Sequence, residues 1–203
     1  ASEFYDHPSR SITIIGITGT NGKTTTAFLV KSILENANLK VALIGTLGLI
    51  AKDFKYQKTL TTPDPIALHK ILHDLNAVGF SHVVMEVSSH GLSQRRSAAL
   101  AFDGMIFTNL THDHLDYHKS MEAYRDAKKL AFDGLHSSAF ALVNIDDKNG
   151  TYMVQNSKAS IYSYSQFGPS DYRVRVLEQD IAGLVLSIDG SEVHTHMIGG
   201  FNA

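Results

Sequence analysis

Cysteine is missing from all 203 residues, which excludes disulfides and thiolate metal sites and fits a reducing compartment. An excess of charge of one sign is missing too: 18 Lys and Arg stand against 20 Asp and Glu, for a formal net charge of −2. That balance gives no general electrostatic pull toward nucleic acid or an anionic membrane. No apolar run approaches the roughly 18 to 20 residues that span a bilayer, and no signal-peptide pattern opens the chain. Internal repeats and low-complexity tracts are absent. What is there, 43% apolar and 19% charged residues, suits a globular core. The chain begins at Ala1 without Met and stops at GGFNA, which reads as a piece cut from something longer.

The pattern of elements comes next. Ser11–Ile17 (SITIIGI) reads as a buried strand ended by a Gly-rich turn, and Thr24–Asn36 carries Ala27, Val30, Ile33 and Leu34 at helical spacing. Lys40–Ile44 is a second strand, so the chain opens on a βαβ unit. Leu47–Leu60 reads as a hairpin or an open loop. Pro65–Val78 is an amphipathic helix with Gly79 where a C-cap belongs. Ser81–Val87, Gly104–Thr108 and Ala139–Asn144 read as strands, and Met121–Phe132 as a helix. Strands alternating with helices predict an α/β core over about 11–158, a mainly parallel sheet with helices on both faces. From about 159 to 199 the stretches YRVRVLEQD, GLVLSID and SEVHTHM alternate at period two, predicting a small appended antiparallel sheet.

Between the first strand and the first helix stands GITGTNGKTTT, Gly16 to Thr26. The usual phosphate-loop pattern, G-x-x-x-x-G-K-[ST], would need glycine at Ile17. The parts that touch phosphate are nevertheless present. Gly19 and Gly22 let backbone amides point inward, Lys23 reaches outer phosphates, Thr24 offers a hydroxyl to Mg²⁺, and a helix begins there with its positive dipole end. The plainer alternative is a glycine turn with a surface lysine.

Glu86 ends the apolar strand SHVVMEV, where a carboxylate at the carboxyl edge of a parallel sheet faces the ligand crevice and suits Mg²⁺. A helix-capping carboxylate is the alternative. His112, His114 and His118 lie in THDHLDYH with Asp113 and Asp116, a zinc-like cluster or a set of surface histidines. Pro63 biases Thr62 to an extended conformation, and Asp64 is placed to cap the helix starting at Pro65.

Four segments, TGTNGKTT, TTPDP, MEVSSHGL and FTNLTHDHLDYH, together with the helix YRDAKKLAF, resemble the Mur ligase family in its tripeptide-synthetase branch. The likeness spans almost the whole chain, weakly after about Gly150, and covers the central ATP-binding domain of the family's usual three. It implies that the amino-terminal nucleotide-sugar domain and the carboxy-terminal amino-acid domain lie outside this chain. It implies an ATP- and Mg²⁺-dependent bacterial, cytoplasmic enzyme. Such an enzyme adds lysine or meso-diaminopimelate to UDP-N-acetylmuramoyl-L-alanyl-D-glutamate through an acyl phosphate. The isolated fragment is then expected to bind ATP and to be a poor ligase.

Carried over residue by residue, the resemblance assigns ATP to Gly19, Thr20, Asn21, Gly22, Lys23, Thr24 and Thr25, with Asn109 orienting phosphate or metal and Asn144 placed to touch adenine. It assigns metal to Thr24, Glu86 and His114, and to Lys128 as an N6-carboxylysine, since Lys128 holds the lysine place of the Y-x-x-A-K pattern. Adjacent Lys128 and Lys129 otherwise read as a solvated helix face. Thr61, Thr62, Ser88, Gln94 and Arg96 are implied to line the muramoyl-peptide site, with Arg96 able to clamp an anion bidentately. His90 and Gly91 share that loop, and Asn202 begins a further motif. Two competing readings remain: a folylpolyglutamate-synthetase-like ligase, or a nucleotide switch without ligase chemistry. A guanine-reading N-K-x-D motif is absent.

Overall fold

The computed structural model describes residues 1–56 and 60–200. Six strands make the parallel part of the sheet: β1 (Thr13–Thr18), β2 (Val41–Gly45), β4 (His82–Glu86), β5 (Gly104–Phe107), β6 (Phe140–Asn144) and β7 (Ser160–Ser165). β3 (Gly48–Ala51) turns back antiparallel on β2, so the segment after Leu47 opens as a hairpin. β8 (Tyr172–Asp180), β9 (Gly183–Ile188) and β10 (Ser191–Thr195) extend the other edge, giving the order β10-β9-β8-β7-β6-β5-β1-β4-β2-β3.

The helices are α1 (Lys23–Asn36), α2 (Pro65–Ala77), α3 (Ser89–Ser93), α4 (Leu115–His118), α5 (Met121–Asp133) and α6 (Gly150–Met153). Alternate strand residues feed two cores. Ile14, Ile44, Met85 and Phe107 pack with α2 and α5, through Leu68, Leu72 and Phe132. Ile15, Ile17, Leu43 and Val84 pack with Ala27 of α1. Both faces of the sheet are thus covered, which is why its central strands read as continuous apolar runs.

Local chemistry sets the helix ends. Asp64 caps α2, its Oδ1 accepting from Ile66 N at 3.0 Å and Ala67 N at 3.1 Å, with Pro65 in the first turn. Gly79 follows α2 with its N–H on Asn76 O. Ser120 caps α5 through Ala123 N.

Two expectations need correction. The parallel sheet does not end near residue 158: β7 pairs parallel with β6 from Phe140↔Ser160 to Asn144↔Tyr164, and β8 joins β7 parallel at Tyr164↔Tyr172. The antiparallel part begins only with β8 and β9. β7 is exposed over its first three residues and lacks the continuous apolar run of the central strands, so it does not show as part of the parallel core. In α1, Ile33 does not face the core but is 67% exposed, with Phe28 and Leu29 beside it. Asn202 lies outside the described residues.

Candidate functional site

β1 has β4 on one side and β5 on the other, and the chain fills the first side before crossing to the second. A crevice outside the carboxyl ends of such strands is where open α/β sheets bind ligands. Here β1 delivers the loop 19–22, β4 delivers Glu86, and β5 leads into the loop that carries His114.

The loop is tightly braced. Gly19 has φ +151°, and a Cβ there would lie 1.9 Å from Thr108 Oγ1. Thr20 N donates to Asn109 O at 2.8 Å and Asn21 N to Asn109 Oδ1 at 2.9 Å. Thr108 Oγ1 and Asn109 Nδ2 both donate to Asn21 O, at 2.6 and 3.2 Å. Gly22 ends the loop at φ 82° as the N-cap of α1. Thr25 is exposed in the first turn.

Lys23 Nζ donates to Gly19 O at 2.9 Å and Thr20 O at 2.8 Å. Burial holds its pKa below the usual lysine value, against the pull of Glu86 and Asp113. Thr24 Oγ1 donates to Glu86 Oε2 at 3.0 Å. Glu86 is fully buried and also accepts from Thr46, by N at 3.1 Å and by Oγ1 at 3.1 Å. It therefore faces the phosphate loop rather than capping a helix. A Cβ on Gly45 would stand 2.1 Å from Glu86 Oε1, so the carboxylate occupies space that only glycine leaves open.

Lys128 and Lys129 are not solvated, at 1% and 6% exposure. Lys129 is ion-paired to Asp133. Lys128 Nζ donates to Gly19 O at 2.8 Å and lies over the Tyr124 ring, 4.6 Å from its centroid. Burial, then the nearby Lys23 charge, pushes its pKa down to about 7, against Asp113. The amine is thus part neutral near neutral pH.

The histidines separate. His114 takes φ 51° at the start of α4, its N–H on Asp113 Oδ1 at 2.8 Å. Its ring meets those of His90 (4.9 Å between centroids) and Tyr124 (5.9 Å). His118 is buried, Nε2 2.9 Å from Ser89 Oγ. Burial lowers the pKa of both His90 and His118. His112 sits apart, exposed near Arg125 and Lys148. Among the described residues no group of three His, Asp or Glu side chains converges to hold a metal.

The third group joins Thr61, Thr62, Ser88, Gln94 and Arg96. Thr62 Oγ1 donates to Glu86 O at 3.1 Å and accepts from Ser88 N at 3.0 Å. Thr61 Oγ1 is 3.3 Å from Thr46 Oγ1. Ser88 caps α3 through Gly91 N. Arg96 Nε donates to Gln94 Oε1 at 2.9 Å and its NH1 to Thr62 O at 3.0 Å. Gln94 Nε2 in turn donates to Tyr117 OH at 3.2 Å.

The side chains of Asn109 and Asn144 both bond to backbone, Asn109 to the loop at Asn21. Asn144 Nδ2 donates to Thr108 O at 2.9 Å while its Oδ1 accepts from Asp146 N at 2.9 Å. Asp147 Oδ2 accepts from Leu110 N at 2.6 Å. Thr46, Thr108, Tyr117 and Tyr124 touch the candidate residues, and sequence reasoning gave none of them a role. Only Tyr124 had a signal, four residues before Lys128 on one helix face.

Comparison with known proteins agrees with this geometry. The Mur ligase middle domain model matches residues 17–203. A curated relative from Cytophaga hutchinsonii, a UDP-N-acetylmuramoyl-L-alanyl-D-glutamate–2,6-diaminopimelate ligase, is 46% identical over the whole of this chain and 42% of its own length. A solved structure of an enzyme of that same name superposes with a TM-score of 0.85 at 28% identity, over 98% of this chain and 43% of that one. FolC of E. coli in complex with DHPP and ADP shares the fold, with a TM-score of 0.66 at 17% identity over 93% of this chain and 50% of that chain. The chain spans about two fifths of the length of the curated relatives it matches, and it belongs to the Mur ligase middle-domain family.

Proposed function

We propose that this chain is the nucleotide-binding part of an ATP-dependent ligase of cell-wall precursor synthesis. The full-length enzyme would join 2,6-diaminopimelate to UDP-N-acetylmuramoyl-L-alanyl-D-glutamate, the substrates in the names of its 46%-identical relatives. The observation that carries this reading is the 3.0 Å contact between Thr24 and the buried Glu86 at the lip of the phosphate loop.

A carboxylate is a poor acylating agent, because its leaving group would be oxide. Transfer of a phosphoryl group from ATP makes an acyl phosphate, which an amine attacks with release of phosphate. The protein has to hold two anions in line and offset their repulsion. The α1 N-terminus and Lys23 hold the triphosphate, at a loop whose Thr20 and Asn21 amides are tied to Asn109. Lys23 leaves the Gly19 and Thr20 carbonyls to do so.

Thr24 and Glu86 offer two hard oxygen donors side by side, which fits Mg²⁺ with phosphate and water completing its shell. When bound, that ion draws charge from the phosphates. Lys128, with a pKa near 7, supplies a neutral amine whose lone pair can bond to the carbon of CO₂, releasing a proton and leaving a carbamate. That carbamate and His114, both neighbours of the Tyr124 ring, would supply a second, oxygen-and-imidazole donor set. Arg96, held by Gln94 and Thr62, receives an anionic group of the acceptor, with Thr61 and Ser88 beside it. Asn109, bonded to the loop, would orient phosphate or metal, and Asn144 at the end of β6 would touch adenine. No helix among the described residues is long and apolar enough to cross a membrane; a reaction that consumes ATP would suit the cytoplasm.

The test is ATP-dependent extension of the UDP-muramoyl-dipeptide by the full-length chain. Extension of folate instead would favour the folylpolyglutamate reading. The 203-residue piece should bind ATP without ligation and lose that binding in Lys23→Ala; equal affinity before and after would remove the loop from the account.

A further inference from the structure

Tyr124 is fully buried yet touches two separately delivered parts of the site and a lysine of its own helix. Its hydroxyl lies 3.1 Å from Thr20 Oγ1 of the phosphate loop. The Lys128 ammonium sits 4.6 Å over its ring. The imidazoles of His114 and His118 pack on it at 5.9 and 5.2 Å.

The donor directions follow from the neighbours. Thr111 N donates to Thr20 Oγ1 at 3.0 Å, and Thr20 Oγ1 donates to Thr111 O at 3.3 Å. The Thr20 hydroxyl has one proton and two lone pairs, so the remaining lone pair accepts from Tyr124. Burial raises the tyrosine pKa and keeps the phenol protonated for that role. One hydroxyl of the loop is thereby fully satisfied by the His114 loop on one side and by α5 on the other.

We propose that Tyr124 is a positioning residue for the reaction: its hydroxyl pins the phosphate loop through Thr20, and its ring holds Lys128 and His114 in register with that loop. The inference rests on the functional reading above. It separates two tasks in one side chain. The hydroxyl sets where the loop amides stand and so acts on nucleotide binding. The ring sets where the Lys128 nitrogen stands and so acts on turnover. A flat, rigid ring packed against the Lys128 side chain and the His114 imidazole fixes both positions in a way that a flexible aliphatic side chain does not.

The experiment uses the full-length ligase with Tyr124→Phe, Thr20→Val, their double variant and Tyr124→Leu. Equilibrium ATP affinity, the KM for ATP, kcat and thermal midpoint are measured for each. Losing one buried hydrogen bond is expected to weaken ATP binding about fivefold to tenfold in Tyr124→Phe, with kcat within about twofold of the unsubstituted enzyme. Thr20→Val should weaken ATP binding at least as much, because it removes the two contacts to Thr111 as well. The double variant should be no worse than the weaker single one, because the two hydroxyls form one pair. Tyr124→Leu should in addition lower kcat tenfold or more.

Unchanged ATP affinity in Tyr124→Phe, or losses that multiply in the double variant, would overturn the proposal. So would equal kcat in the Phe and Leu variants. If Tyr124→Phe fails to fold, Thr20→Val alone reads the contact, and unaltered ATP affinity there refutes it. If the unsubstituted chain binds ATP but extends no muramoyl substrate, the functional reading fails while the affinity arm still decides the loop contact.

Discussion

Lys23 and Lys128 donate to the same acceptor, the carbonyl oxygen of Gly19, at 2.9 and 2.8 Å. Two amines on one oxygen, one half-buried and one buried, cannot both carry full charge cheaply, and Lys128, the buried one, has its pKa pushed down to about 7.

That depression predicts a pH dependence of stability. Unfolded, Lys128 holds its proton up to its ordinary value of 10.5; folded, it releases it near 7. Between those values the unfolded state binds more protons, so this group makes stability rise with pH across the window and contributes its full penalty below 7. Lys128→Met should flatten the rise. Thermal midpoints from pH 6 to 10 check this, and parallel curves for the two proteins would refute it.

Gly45 leaves the space that Glu86 fills, a Cβ there coming 2.1 Å from Oε1. Gly45→Ala should therefore displace the carboxylate from Thr24 and Thr46. Overpacking of this kind costs about 1 to 3 kcal/mol, read from denaturant unfolding. Nucleotide binding that depends on Mg²⁺ should weaken with it. A variant as stable and as Mg²⁺-dependent as the parent would show that the carboxylate sits elsewhere.

Arg96 uses its fork, with Nε on Gln94 and NH1 on Thr62 O. Lysine keeps the charge but not the fork. In the full-length ligase Arg96→Lys should raise KM for the muramoyl substrate by roughly tenfold, since a charged hydrogen bond is worth about 1.5 to 3 kcal/mol, and leave KM for ATP unchanged. Steady-state kinetics with each substrate varied in turn decide it; equal effects on both KM values would place Arg96 outside the acceptor site.

Much of this arrangement was legible because its signals are local. Gly19, Gly22, Lys23 and Thr24 follow one another between a strand and a helix, and Glu86 ends an apolar run. The braces were not legible. Asn144 meets Thr108 across 36 residues and Thr108 meets Asn21 across 87, and such contacts leave no pattern in either segment. Short helices such as α3 and α4 are too brief to show a period. Ile33 was misread because its spacing fits a core stripe, while α1 buries only Ala27 completely. The fate of Lys128 and Lys129 depended on α5 being covered on that face, which two adjacent lysines alone argue against.

The central claim is that the phosphate loop and Glu86 bind one metal-bound triphosphate together. Calorimetric titration of ATP into wild type and Glu86→Gln, with and without Mg²⁺, tests it most directly. Mg²⁺ should strengthen binding to the wild type at least tenfold, for roughly 1.4 kcal/mol, and leave the Gln variant almost unaffected. An equal Mg²⁺ enhancement in both proteins would contradict the account.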